Sequence, residues 1–159
     1  QDDTTYNELV FDALYGKISL SGALNLAAAM MPEKVVVLDS AFSAAKDSDR
    51  RGFPYGSKAL DLLVTLCTDY WSCLATGQGD EKAKSFFGKD GFAAKEASKL
   101  SRAGRNRRTF EYKGENYFME RHLRYGVKES LAETLRVHFD WKADEKKIII
   151  GHCGKHLDP

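Results

Sequence analysis

The chain has 159 residues, 43% hydrophobic and 30% charged, with 24 Lys/Arg against 23 Asp/Glu. This is the length and composition of one globular domain that can bury a core without disulfides or a structural metal. No apolar run reaches the roughly 18 residues a bilayer span needs, which excludes an integral membrane protein, and no basic-then-apolar leader is visible; no membrane partner and a reducing, cytoplasmic setting are expected. Three cysteines, Cys67, Cys73 and Cys153, show no CxxC spacing and read as reduced thiols. Gln1 in place of Met leads us to expect part of a longer protein.

In chain order, Thr5-Tyr6-Asn7-Glu8 is a capping box, and Leu9, Val10, Ala13 and Leu14 continue at helical spacing to Gly16. Ala23 to Met31 reads as a short buried helix ended by Pro32. Residues 1–32 are therefore expected to form a helical extension, and residues 33–159 an α+β domain. Val35-Val36-Val37-Leu38 suits a buried strand, and the polar stretch through Arg50, Arg51, Gly52, Phe53 and Pro54 reads as a long loop. Asp39-Ser40 carries no G-x-S-x-G elbow, so Ser40 is expected in a turn or cap. Leu60, Leu63, Val64, Cys67, Tyr70, Trp71 and Leu74 mark an amphipathic helix that stops at Gly77. Asp80 and Asp90 can cap two shorter helices, over 81–87 and 91–101.

From Thr109 the period changes to two. Thr109 to Tyr112, Tyr117 to Leu123, Leu135 to Trp141 and Lys147 to Ile150 read as strands separated by polar turns. The predicted architecture is α+β: N-terminal helices, one buried strand, a helical pair, then a four-stranded antiparallel meander.

The polar chemistry concentrates in this last third. Residues 1–100 hold 11 basic and 14 acidic side chains, whereas residues 101–159 hold 13 and 9 together with all four histidines. Alternation puts Leu135, Val137, Phe139 and Trp141 on a core face and Arg136, His138 and Asp140 on the other. By the same rule Glu120, His122 and Arg124 share a face, so paired strands would bring the two polar rows to one side of a sheet, holding His122, Arg136 and His138 with Glu120 and Asp140 nearby. Such a row is either a solvated sheet face or an anion site with acid/base groups, since imidazole moves protons near neutral pH and Arg stabilises phosphoryl charge. Arg102, Arg105, Arg107 and Arg108 precede Phe110, Tyr112 and Tyr117, a solvated connector or a combination that grips phosphates and stacks on bases. The end, Gly151-His152-Cys153-Gly154-Lys155-His156-Leu157, follows a strand. His152, Cys153 and His156 are suitable metal ligands, with His122 or His138 to join them, but their spacing matches no standard zinc signature, so neither metal nor cofactor is expected.

Three stretches, Arg121-His122-Leu123-Arg124-Tyr125-Gly126, Leu135 to Trp141, and Ile150-Gly151-His152-Cys153-Gly154-Lys155-His156-Leu157, resemble the RelE/YafQ-type ribonuclease toxins. The resemblance implies a RelE-like sheet and metal-independent RNA cleavage through the adjacent 2′-hydroxyl, in a toxin–antitoxin or bacterial defence setting with an inhibitor protein or fused partner domain. It implies that His122 or His138 takes the 2′-hydroxyl proton, that His156 protonates the leaving oxygen and that Arg136 steadies the phosphate. Lys155, Arg124 and the 102–108 arginines would hold RNA (or DNA). Two other readings stay open: a non-catalytic nucleic-acid-binding or sensing module, and a protein-interaction domain whose contact is the 45–56 segment with Phe53 and Tyr55.

Overall fold

A computed structural model describes residues 3–96, 99–126 and 130–159. The fold is mixed α+β. Helices α1 (Asp3–Leu14) and α2 (Leu20–Met30) lead to strand β1 (Val35–Val37), then α3 (Asp39–Arg50) and α4 (Gly56–Thr65). A π-helical turn at Leu66–Tyr70 joins α4 to α5 (Trp71–Ala75), and a 3-10 turn at Asp80–Lys82 leads into α6 (Ala83–Phe87). Then follow β2 (Phe92–Ala93), α7 (Arg102–Arg107), β3 (Thr109–Tyr112), β4 (Glu115–Phe118), β5 (His122–Tyr125), β6 (Leu135–Lys142) and β7 (Lys147–Gly154). No helix among the described residues is long and apolar enough to cross a membrane.

The main sheet has five strands in the order β1-β7-β6-β5-β2. Only β1 runs parallel to its neighbour, β7; the other pairs are antiparallel. The expected four-stranded meander is thus corrected to three strands, β5-β6-β7. The β3-β4 hairpin forms a sheet of its own. The stretch 117–123, read as one strand, changes sheets at 119–121: Met119 N–H donates to Arg108 O in the register of the hairpin, whereas Arg121 O accepts from Phe139 N–H of β6.

Helix α2 is part of the core. Its first turn is capped twice: Ser19 Oγ accepts from Gly22 N–H, and Asp49 of α3 accepts from Leu20 N–H at 2.8 Å and from Ser21 N–H at 3.0 Å. A carboxylate there also complements the helix dipole. Leu20, Ala23 and Leu24 are wholly buried with the sheet's Leu123, Val137 and Cys153. Residues 1–32 are therefore no separate extension. Helix α1 packs on the core from outside through Leu9, Val10 and Ala13, with Phe11, Leu14 and the following Tyr15 exposed.

Helix α3 replaces most of the expected loop. Ala41, Ala45 and Ser48 are its buried stripe. A Cβ on Gly154 of β7 would stand 3.0 Å from Ala44 O, so helix and strand nearly touch. Phe53 and Tyr55, offered above as a partner contact, pack edge-to-face, and Tyr55 packs the same way on Tyr125. The helix expected over 91–101 is absent from its described part, where Phe92 and Ala93 instead pair with Leu123 and His122; residues 97–98 lie outside the described residues. Phe92 is 4% exposed among Tyr70, Phe87 and Phe139, and that aromatic anchor holds the short edge strand.

One residue resets the alternation of β7. The β6-β7 register shifts between His138 and Phe139, leaving Gly151 as the extra residue and returning His152 to the side of His138. A Cβ at Gly151 would meet Phe110 at 2.5 Å and the Met119 sulfur at 2.8 Å, so the hairpin packs directly on bare backbone. Ser40 Oγ donates to Gly151 O at 2.6 Å, tying α3 to the bulge. Ser40→Ala is expected to cost about 1 kcal/mol, since it leaves that carbonyl short of a partner; urea unfolding of the two proteins measures it.

Candidate functional site

One face of the central strands carries two polar rows. His122, His138 and His152 stand in register across β5, β6 and β7, and Arg124 and Arg136 stand opposite one another two residues along. The alternation rule therefore places these groups correctly. The face is not solvated, however: His138 is 1% exposed, His122 and His152 are 7% exposed, and Arg136 is 8% exposed.

The histidine row is packed and hydrogen-bonded. The rings of His122 and His138 stack with centroids 4.7 Å apart, and His152 meets His138 edge-on at 5.8 Å. Carbonyl partners assign the tautomers. His122 Nδ1–H donates to Glu120 O at 2.7 Å, His138 Nδ1–H to Met119 O at 3.0 Å, and His152 Nε2–H to Lys155 O at 2.8 Å. Burial lowers the proton affinity of all three. It pushes His138 well below the ordinary histidine range, and it brings His152, with help from the charges of Arg108 and Lys155, down to about 4. His122 is lowered in the same way, by burial against an opposing carbonyl bond and Glu96.

Over this row lies Arg108, turned inward and 2% exposed. Its Nε donates to Glu96 Oε1 at 2.8 Å, its Nη1 to Gly104 O and Asp158 O, and its Nη2 to Leu157 O. Arg108 therefore straps the tail over the sheet and presents nothing to a phosphate. Glu96 Oε1 also lies 3.7 Å from His122 Nδ1 and 3.8 Å from His138 Nδ1. These three groups place donor atoms within 4.8 Å of one another, as a metal site would require. Their chemistry points elsewhere: both Nδ1 protons are committed to carbonyls, and Glu96 already holds a guanidinium, whose charge opposes a second cation.

The arginine row is different. Arg136 Nη1 donates to Leu135 O, and Arg124 Nε donates to Asp90 O. Among the described residues no carboxylate lies within ion-pairing distance of either guanidinium. No fully buried side-chain nitrogen in the described residues lacks a hydrogen bond, so the remaining N–H groups of Arg136 open to a cavity. That cavity, about 520 Å³, is lined by Arg124, Arg136, Lys58, Asp90, Tyr125 and the backbone of Gly91 and Gly126. Lys58 Nζ stands 5.6 Å over the Tyr125 ring. Burial, and next the charge of Arg124, lower the proton affinity of Arg136. Two like charges directly opposite on a sheet destabilise it unless an anion lies between them.

The cavity continues into a groove along the β2 edge. It shares Arg124 with a hollow that contains Lys84 and Lys89. That hollow shares Asp80 and Ala94 with a third, beside Lys95 and Arg121. The third shares Phe118 and Glu120 with a fourth, beside Lys99, Arg102 and Arg105. Together they are lined by ten basic and six acidic side chains.

Of the residues singled out from the sequence, Arg102, Arg105 and Arg107 are exposed on α7, with Arg105 over the Phe118 ring at 4.1 Å. Lys155 and His156 are half-buried after β7, near enough to His152 for their charges to bear on it. Lys58, Asp90 and Glu96 were not found by sequence reasoning. Each lies in an ordinary polar stretch, Asp90 beside Lys89 and Glu96 beside Lys95, and only the fold brings it to the site. Comparison with protein-family models, with curated proteins and with solved structures gives no match to this chain.

Proposed function

We propose that the protein binds single-stranded nucleic acid, RNA in the first place, along the groove that runs from Arg136 to α7. The observation that carries this reading is Arg136: a buried arginine facing a second one, with no carboxylate within ion-pairing distance among the described residues and with N–H groups open to a cavity. A charge in that position lowers stability unless a ligand anion compensates it. Arg is suited to that ligand because its planar fork matches phosphate oxygens. Phe118 and Tyr125 line the path, each with a basic side chain over its ring, Arg105 and Lys58; a base that stacks there displaces that cation. The resemblance to RelE/YafQ-type toxins supports the same class of ligand.

Binding is favoured over cleavage. A general base must come within about 3 Å of the proton it takes. His138 is 1% exposed and roofed by the Arg108 strap, and His122 has its Nδ1–H turned to a carbonyl. Neither imidazole meets a ribose in the groove.

The test is incubation of the full chain with labelled single-stranded RNA and DNA, with and without EDTA, over a salt series. The expected result is retention of intact RNA, with log K falling against log salt at a slope of about −3, as about four phosphate contacts give. Absence of binding at low salt overturns the reading. RNA cleavage that His138→Asn abolishes replaces it with the metal-independent ribonuclease.

A further inference from the structure

We infer that the cavity between Lys58, Arg124 and Arg136 receives the terminal phosphomonoester of the strand, not an internal phosphodiester; this deepens the RNA reading and rests on it. The first argument is charge. Three cations line the cavity against one carboxylate, Asp90. A phosphodiester brings one negative charge, whereas a phosphomonoester brings about −1.5 to −2 at neutral pH and a third free oxygen. Only the monoester balances the excess of two and gives each cation an oxygen of its own.

The second argument is the shape of the path. An internal phosphate needs chain leaving on both sides. Among the hollows described, this cavity joins the groove through Arg124 alone. Its other walls include Leu62 and Phe87, which give a sugar-phosphate backbone no polar continuation. Two residues of its lining, Gly91 and Gly126, carry no side chain. Gly126 has φ +87°, and a Cβ there would meet Glu133 O at 2.0 Å, so the position stays bare.

The third argument is burial. Arg136 is 8% exposed, and its guanidinium has one hydrogen bond, to its own strand's Leu135 O. A terminal phosphate, with three free oxygens, can reach that recessed guanidinium with less of the chain following it than an internal diester needs.

The test uses the full chain and unlabelled RNA octamers carrying a 5′-phosphate, a 3′-phosphate or hydroxyls at both ends, titrated calorimetrically at low salt, with inorganic phosphate and a nucleoside monophosphate as controls. One phosphorylated octamer is expected to bind at least tenfold tighter than the hydroxyl form, and which one identifies the end. Arg136→Met should erase the preference. The exposed Lys58→Met should reduce it, with no folding question attached. Equal binding of all three octamers overturns the inference and leaves the RNA reading standing. Binding of none removes the RNA reading as well. Inorganic phosphate or the monophosphate binding as tightly as the best octamer also overturns the inference, since a strand end would then add nothing.

Discussion

Arg136→Met should weaken RNA binding by about 30–100-fold while raising the melting temperature. Both effects have one cause. Arg136, 8% exposed and opposite Arg124 with no carboxylate within ion-pairing distance among the described residues, is held at the expense of stability. Replacing buried charge with apolar side chains of similar volume is often stabilising by about 1–4 kcal/mol. The single hydrogen bond lost, to Leu135 O, offsets about 1 kcal/mol of that. A net gain of about 1 kcal/mol moves the melting temperature of a protein this size up by roughly 2–4 °C. On the binding side, truncating a buried charged contact costs about 2 kcal/mol or more. Thermal melts and RNA titrations of the same preparation measure both quantities. A fall in melting temperature would mean that Arg136 is structural.

Acid should unfold the protein through its histidine row, and His152→Gln should blunt that loss by about 3 kcal/mol. In the folded state burial holds His152 neutral down to about pH 4. In the unfolded chain it takes a proton near pH 6.5. Between these values the unfolded state binds more protons, so stability rises with pH across the window and is lost as pH falls from about 6.5 to about 4. A displacement of about 2.5 pH units corresponds to about 3 kcal/mol at 1.36 kcal/mol per unit. His122 and His138, both lowered by burial, act in the same direction. Gln keeps a donor at the position of Nε2 for Lys155 O and does not titrate. Urea unfolding at pH 7 and pH 4.5 gives the comparison, and an unchanged acid loss in the variant would place the effect elsewhere.

The helices and the sheet were legible where a local period exists. The spacing of Leu63, Cys67, Tyr70 and Leu74 marks the α4-α5 arm, and alternation sorts Arg136 and His138 onto one face correctly. Burial of that face was not legible. It depends on a hairpin whose Phe110 and Met119 pack on Gly151 and on a tail strapped down by Arg108, and both are tertiary contacts. Arg108 sits in a run of arginines whose other members face solvent, so nothing in the run marks it as the inward one. Helix α3 was hidden because its buried stripe is Ala41, Ala45 and Ser48, small residues whose helicity comes from close packing on Gly154 rather than from an apolar pattern. Gly151 in a strand-like run did carry a signal, since an isolated glycine there marks a bulge or a close approach of backbone. Here it marks both.

The arginine pair is the centre of the functional account, and nitrogen-15 spectra of the arginine Nε–H groups address it directly. On titration with phosphorylated single-stranded RNA, the Nε–H signals of Arg124 and Arg136 should shift together and saturate at one dissociation constant, with those of Arg102 and Arg105 moving less. Shifts confined to Arg102, Arg105 and Arg107, with Arg124 and Arg136 unmoved at saturation, would contradict it.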